Sequence, residues 1–256
     1  MKRVAIIGGA GRMGQVMARG LGAEPDVTLS VLVDVHEPSE LFGARYAHTI
    51  DEIDADSVDA VVEFSVPDSV VASARWCAAH QVALVIGTTG LDDVQRGAVR
   101  EASASTSIVV ASNFSVGAVL SERFARLAAP YFDRVEIVEL HHDRKADAPS
   151  GTALAAARAI AAARATAAMA PMDDPTSRHT LEGSRGADAG DGVRIHSVRL
   201  AGLVAHQEIL FGGPGEGLTI RHDSFDRVSF VQGVALALRS LHQGPGLTEG
   251  IDSFIA

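Results

Sequence analysis

The sequence predicts an α/β chain: a doubly wound parallel sheet first, then a second α+β region with a mixed, open-faced sheet. Three observations predict it. Short, wholly apolar runs alternate with helical patterns through the first half, as in strand–helix–strand units. Those runs end in polar, glycine-bearing turns. After Gly117 the pattern changes, and alternating strand-like runs follow one another with glycine turns between them.

Val4 to Ile7 is apolar throughout, as suits a strand covered on both faces. Gly8-Gly9-Ala10-Gly11-Arg12-Met13-Gly14 follows and opens a helical pattern. The Gly8, Gly11 and Gly14 spacing differs from the commonest dinucleotide fingerprint but answers the same demands. The backbone must turn tightly, let a pyrophosphate approach, and bring a helix close to the sheet. Val27 to Val33 reads as the second strand and ends in Asp34. A carboxylate there suits the adenosine ribose hydroxyls. Together these features predict a Rossmann-type nucleotide site. Asp34 leans toward NADH because it repels a 2′-phosphate, whereas Arg12 could offset that repulsion and admit NADPH.

The alternation continues through a strand at Ala60 to Ser65, a helix from Pro67 to His80 and a strand at Val82 to Ile86. Leu91 to Ala104 reads as helix and Ser107 to Ala111 as strand. Ser65, Gly87-Thr88-Thr89-Gly90 and Asn113 to Gly117 then fall at the carboxyl ends of strands, where such sheets bind ligands.

In the second half, Val119 to Ala129 reads as helix and Val135 to His141 as a strand. Its period of two puts Val135, Ile137, Glu139 and His141 on one face. Thr152 to Ala168 is an Ala-rich helix, and Pro171 to Asp191 a long surface loop. Val193 to Leu200, Val204 to Phe211 and Leu218 to Asp223 are strand-like, and the turns at Ala201-Gly202 and Gly212 to Gly215 imply antiparallel pairing. His206, Glu208 and Leu210 share one face of the middle run. With few helices left to cover the sheet, one face is expected to pack on another subunit. Phe230 to His242 is a last helix.

Glu139 to Leu154 concentrates the chemistry. His141 and His142 can move protons near neutral pH. Lys145 adds a cation with three donors. Pro149-Ser150-Gly151-Thr152 opens a helix, whose first N–H groups can hold an anion. A zinc site is a poor reading, since a His pair with Asp143 alone lacks ligands. A hydrolase triad is also poor, because Ser150 has no nucleophile-elbow glycines.

Composition narrows the partners. The net charge of −10 argues against nucleic acid and anionic membrane surfaces, so an anionic substrate needs a local basic cluster. The single Cys77 cannot form an internal disulfide, which suits the cytoplasm, and its apolar surroundings favour burial. The apolar run after Met1-Lys2-Arg3 is too short for a signal peptide, and no stretch suits a membrane span.

These residues carry a resemblance to the bacterial dihydrodipicolinate reductases. It rests on Gly8 to Gly14, Gly87 to Gly90, Asn113 to Gly117, Glu139 to Leu154, and Arg199 to Arg227, in order along essentially the whole chain. The chain differs in having Glu63-Phe64-Ser65 where the family often has Asp-Phe-Thr, and Ser112 where it often has Pro. The resemblance implies that Gly8, Gly9, Ala10, Gly11, Arg12 and Met13 hold the pyrophosphate of NADH or NADPH, and Asp34 its ribose. Gly87, Thr88 and Thr89 with Ala111, Ser112, Asn113 and Phe114 would hold the nicotinamide end. His141 would be the proton donor or acceptor and Lys145 a second donor, while His142, Gly151 and Thr152 would bind substrate carboxylate. No metal is implied. It further implies lysine-pathway chemistry on a cyclic dicarboxylate, a homotetramer, and a discontinuous dinucleotide-binding domain at 1–114 plus 223–256 around a substrate-binding and oligomerisation domain at 115–222. The rival readings are another Rossmann oxidoreductase on a small cyclic dicarboxylate and a non-catalytic dinucleotide sensor.

Overall fold

The computed structural model describes residues 1–241 and 244–255. It divides into two compact units: residues 1–116 with 227–255, and residues 117–226. In the first, strands β1 (Lys2–Ile7), β2 (Val27–Val33) and β3 (Arg45–Ala47) are followed by β4 (Ala60–Glu63), β5 (Ala83–Ile86) and β6 (Ser107–Val110). Helices α1 (Arg12–Gly22), α2 (Pro67–His80) and α3 (Asp93–Ala102) alternate with them. Pro67 opens α2, where its missing N–H costs nothing. Asp92 and Gln95 close a reciprocal capping box on α3.

Later in the chain come α4 (Val116–Ala128), β7 (Arg134–His141), α5 (Gly151–Thr166), β8 (Ala187–Asp188), β9 (Arg194–Arg199), β10 (Ala205–Gly213) and β11 (Glu216–Ser224). They are followed by α6 (Val231–Ser240) and β12 (Gly246–Glu249). The first sheet has seven strands in the order β12-β6-β5-β4-β1-β2-β3, all parallel. Strands β3 and β12 carry no signal in the sequence that sets them apart from loops. Both are edge strands, and β12 comprises Gly246-Leu247-Thr248-Glu249, too short to show a period. The last helix ends at Ser240, and His242 lies outside the described residues. Packing of α6 on α1 leaves no room for a side chain at Gly20, where a Cβ would sit 2.5 Å from Val231 Cγ2.

The second sheet has five strands in the order β11-β10-β7-β9-β8. The β10–β11 hairpin is antiparallel, as the glycine turn implies. The turn at Ala201-Gly202 does not make a second hairpin. β7 lies between β9 and β10, parallel to the first and antiparallel to the second. A local turn signal reports that the chain reverses, whereas the neighbour is chosen by which strand buries its apolar face best, and β7 supplies Val135 and Ile137. Those residues pack with Ala153, Ala156, Ala157 and Ile160 of α5 and with Ile209 and Phe211 of β10. Arg164 of the Ala-rich helix is buried and gathers the carbonyls of Ala129, Phe132, Asp133 and Ala170, with Nη1 donating to Phe132 O at 2.6 Å.

The segment 171–191 is held at several points. Met172 is buried in the core, Asp174 pairs with Arg185 and Arg194, and Arg185 pairs with Glu136. The sheet face away from α5 carries half-buried Val138, Leu140, Val198 and Leu210.

Candidate active site

In the first unit, the turns expected to hold a cofactor all lie at the carboxyl ends of β1, β2, β4, β5 and β6. Gly8 has φ +81°, and a Cβ there would meet Phe64 O at 2.5 Å. Gly11 donates to Gly8 O, and a Cβ on Gly14 would lie 2.0 Å from that oxygen. The turn is therefore closed to side chains on its inner side, and it leads into α1 with no side-chain cap at Gly11. Such a bare helix start with glycine backbone around it fits a pyrophosphate. Arg12 is exposed at the first position of α1, and Met13 is half-buried.

Asp34 accepts from Ala10 N at 3.0 Å and from His36 N at 3.1 Å, so its carboxylate also braces the glycine turn. Gly87 lies against the Phe64 ring, where a Cβ would come within 2.1 Å of Cε1. Phe64 in turn meets Phe114 at 5.9 Å between centroids. Thr88 and Ala111 are buried, whereas Thr89 and Ser112 are exposed. Asn113 Oδ1 accepts from Ser115 N at 2.8 Å and fixes the loop after β6. Beneath these loops Glu63 is buried, with Oε1 accepting from Ser65 N at 3.0 Å and Oε2 accepting from the Ser73 hydroxyl. Burial pushes its carboxyl up, and the Ser65 and Ser73 bonds only partly offset that. The Cys77 thiol is likewise pushed up by burial, which makes it inert.

In the second unit, Glu139 and His141 stand on one face of β7, as the period of two requires. His141 Nδ1 lies 2.5 Å from Glu139 Oε2. Arg199 of β9 grips the same carboxylate with both terminal nitrogens, each at 2.8 Å. Ser150 N donates to Glu139 Oε1 at 3.2 Å. Burial alone would raise the Glu139 pKa, but hydrogen bonds from Arg199, Ser197 and His141 together bring it below the usual value. Burial lowers His141, with Glu139 opposing and Lys145 and Arg199 assisting, so the ring is neutral over more of the pH range than a free histidine.

Ser150 caps α5 by accepting from Ala153 N at 3.1 Å. Gly151 and Thr152 are the first two residues of that helix, whose opening N–H groups have no partner within the helix. Lys145 Nζ lies 2.7 Å from both carboxylate oxygens of Asp147. His142 Nδ1 is buried without a hydrogen-bond partner. One unit thus gathers His141, His142, Lys145 and the Gly151-Thr152 helix start. Arg199, Asp147 and the Glu139 carboxylate join this cluster without having been expected from the sequence. A buried acid beside a histidine on a strand face is a readable signal that a cation must be near. Which cation answers depends on the β7–β9 pairing, which sets His141 opposite Arg199.

A parallel sheet whose glycine turn fits a pyrophosphate, carried on one chain with a unit that gathers two histidines, a lysine and a bare helix start, is the pattern of a nicotinamide-dependent oxidoreductase. Comparison with known proteins places it further. Residues 2–114 match the dihydrodipicolinate reductase N-terminus and residues 117–254 the dihydrodipicolinate reductase C-terminus. The 4-hydroxy-tetrahydrodipicolinate reductases of Mycolicibacterium gilvum and Nocardia farcinica are 47% and 46% identical, each covering 99% of this chain and 98% of the relative. A dipicolinate-bound dihydrodipicolinate reductase from Paenisporosarcina sp. TG-14 superposes with a TM-score of 0.88 at 37% identity, over 99% of both chains. The chain belongs to the dihydrodipicolinate reductase family. A myo-inositol dehydrogenase from Corynebacterium glutamicum, 16% identical with a TM-score of 0.59 over 93% of this chain and 86% of that one, shares the fold alone.

Proposed function

We propose that the protein reduces 4-hydroxy-tetrahydrodipicolinate to tetrahydrodipicolinate with NADH or NADPH, in the lysine (diaminopimelate) pathway of the cytoplasm. The observation that carries this reading is the full-length match to relatives of that name, on a chain whose His141, Lys145 and Gly151-Thr152 helix start are gathered in one unit. Gly8 to Met13 would hold the pyrophosphate, Asp34 the ribose, and Gly87 to Thr89 with Ala111 to Phe114 the nicotinamide end. The nicotinamide, when bound, supplies the hydride. On the substrate side, the Gly151 and Thr152 N–H groups and His142 take one carboxylate of the ring. Loss of the 4-hydroxyl with a proton from the neighbouring ring carbon, as water, leaves a conjugated C=C–C=N system; hydride arriving there would leave an electron pair on the ring, and one proton is then consumed. His141 delivers that proton, an effect worth ~10²–10⁴-fold in rate. Lys145 stabilises the developing negative charge and acts as a second donor. Homotetramer formation through the second sheet's outer face is supported by its half-buried Val138, Leu140, Val198 and Leu210.

A coupled assay tests the reading. The substrate is generated in situ from pyruvate and aspartate semialdehyde by its synthase, and nicotinamide absorbance is followed with NADH and NADPH in turn. Substrate-dependent oxidation of either cofactor is expected. Cofactor binding without any oxidation would leave the sensor reading in its place.

A further inference from the structure

Glu139 has 0% of its side chain exposed, yet its two oxygens are met by His141, Arg199 and Ser150, with the Ser197 hydroxyl also bonded to the carboxylate. Oε2 meets His141 Nδ1 and Arg199 Nη1, and Oε1 meets Arg199 Nη2 and Ser150 N. An ionised carboxylate only accepts, so the Nδ1 facing it must carry the proton. The neutral ring then has its lone pair on Nε2. Arg199 also donates to Asp147 O at 2.6 Å, which ties the Lys145 loop to the same cluster. One buried acid therefore reaches the histidine, the start of α5 and, through its cation, the lysine loop.

We propose that Glu139 and Arg199 act as a charge-neutral clamp on His141: Glu139 holds the Nδ1 proton so that Nε2 is the working nitrogen, and Arg199 cancels the charge that would otherwise make the imidazolium reluctant to give its proton up. Both are positioning residues, and the inference rests on the role given to His141 above. The proton that leaves in the reaction is the one on Nε2, and the other stays on Nδ1, donated to Glu139. The charged groups facing the ring are Glu139 on its own strand, Arg199 on β9 and Lys145 on the following loop, the last paired to Asp147. From β10 the opposite residue is uncharged Ala205. A lone buried carboxylate beside a histidine would favour the charged ring, and a paired one orients without that bias.

The kcat/KM–pH profile tests the clamp. The limb belonging to His141 is assigned as the one lost in His141→Gln. In Glu139→Gln the Arg199 cation is left unopposed, and turnover should fall ~10–10²-fold, within what a placed acid contributes. The assigned limb should move to lower pH by about one unit, the size of effect a close charge produces. Glu139→Gln/Arg199→Met removes both charges and should bring the limb back toward its original position. A limb that stays put in the single variant, or stays displaced in the double, overturns the clamp while leaving His141 in its role. Full turnover in His141→Gln instead removes the role on which the clamp rests. The wild-type protein gives an independent reading through the ¹⁵N shifts of the His141 ring. A neutral ring protonated at Nδ1 is expected, and protonation at Nε2 overturns the proposal even if the variants do not fold.

Discussion

Asp34 and Glu139 are both carboxylates at the ends of strands, and both organise a loop that matters. Asp34 is half-exposed and accepts two backbone N–H groups, from Ala10 and His36. Glu139 is fully buried and needs the Arg199 cation to remain ionised there. The first unit's site is built of backbone, so its demands fall on glycines that must lack side chains. The second unit's site is built of side chains, so its demands fall on charge balance in a low dielectric. Damage to the first should weaken cofactor binding, and damage to the second should strike turnover and its pH dependence.

The sharpest break in that contrast is His141→Gln. Turnover should fall ~10²–10⁴-fold with cofactor affinity nearly intact, as measured by steady-state kinetics beside cofactor titration. Next is Gly14→Ala, whose Cβ would press on the Gly8 carbonyl. Cofactor binding should weaken at least ~10-fold, and the melting temperature should fall by several degrees, since forced contacts of this kind cost about 1–3 kcal/mol. The pH limb of His141 should not move, and if it does the two sites are not separable in this way.

Asp34→Asn probes the intermediate case. The amide keeps an acceptor for the turn but removes the negative charge, so affinity for NADPH relative to NADH should rise, by about tenfold for a change of ~1.4 kcal/mol. An unchanged ratio in isothermal titration would deny Asp34 its part in cofactor choice. The smallest expected effect is on stability. Burial lowers His222, with Asp223 opposing it, and also lowers His141. The unfolded chain therefore binds protons that the folded chain refuses. Stability from these two groups should be intact above the ordinary histidine value of 6.5 and decline as pH falls below it. Urea titrations across that range should show a shallower decline in His222→Gln.

Much was legible along the chain. Strand Val27–Val33 and helix Pro67–His80 are bounded by local signals, Asp34 at the strand's end and Pro67 at the helix start. His141, Lys145 and Gly151 to Thr152 were visible as a cluster because they are close in sequence. The β9–β10 neighbourhood was misread because a turn states only that the chain reverses, and β7 came between. Strand β12 was missed because an edge strand needs no apolar period when its partner β6 is already in place.

The sequence by itself determined most of the strands and helices, though not the edge strands β3 and β12, together with the glycine turn and the residues that can move protons or hold an anion, because each depends on neighbours a few positions away. The tertiary structure decided that Arg199 neutralises Glu139, that Asp147 holds Lys145, and that His141 is bonded through Nδ1. The first of these depends on strand register across dozens of residues, and the energy of a buried charge is set by whatever that register brings beside it; the other two join residues two apart, and the fold settles only the direction of their side chains.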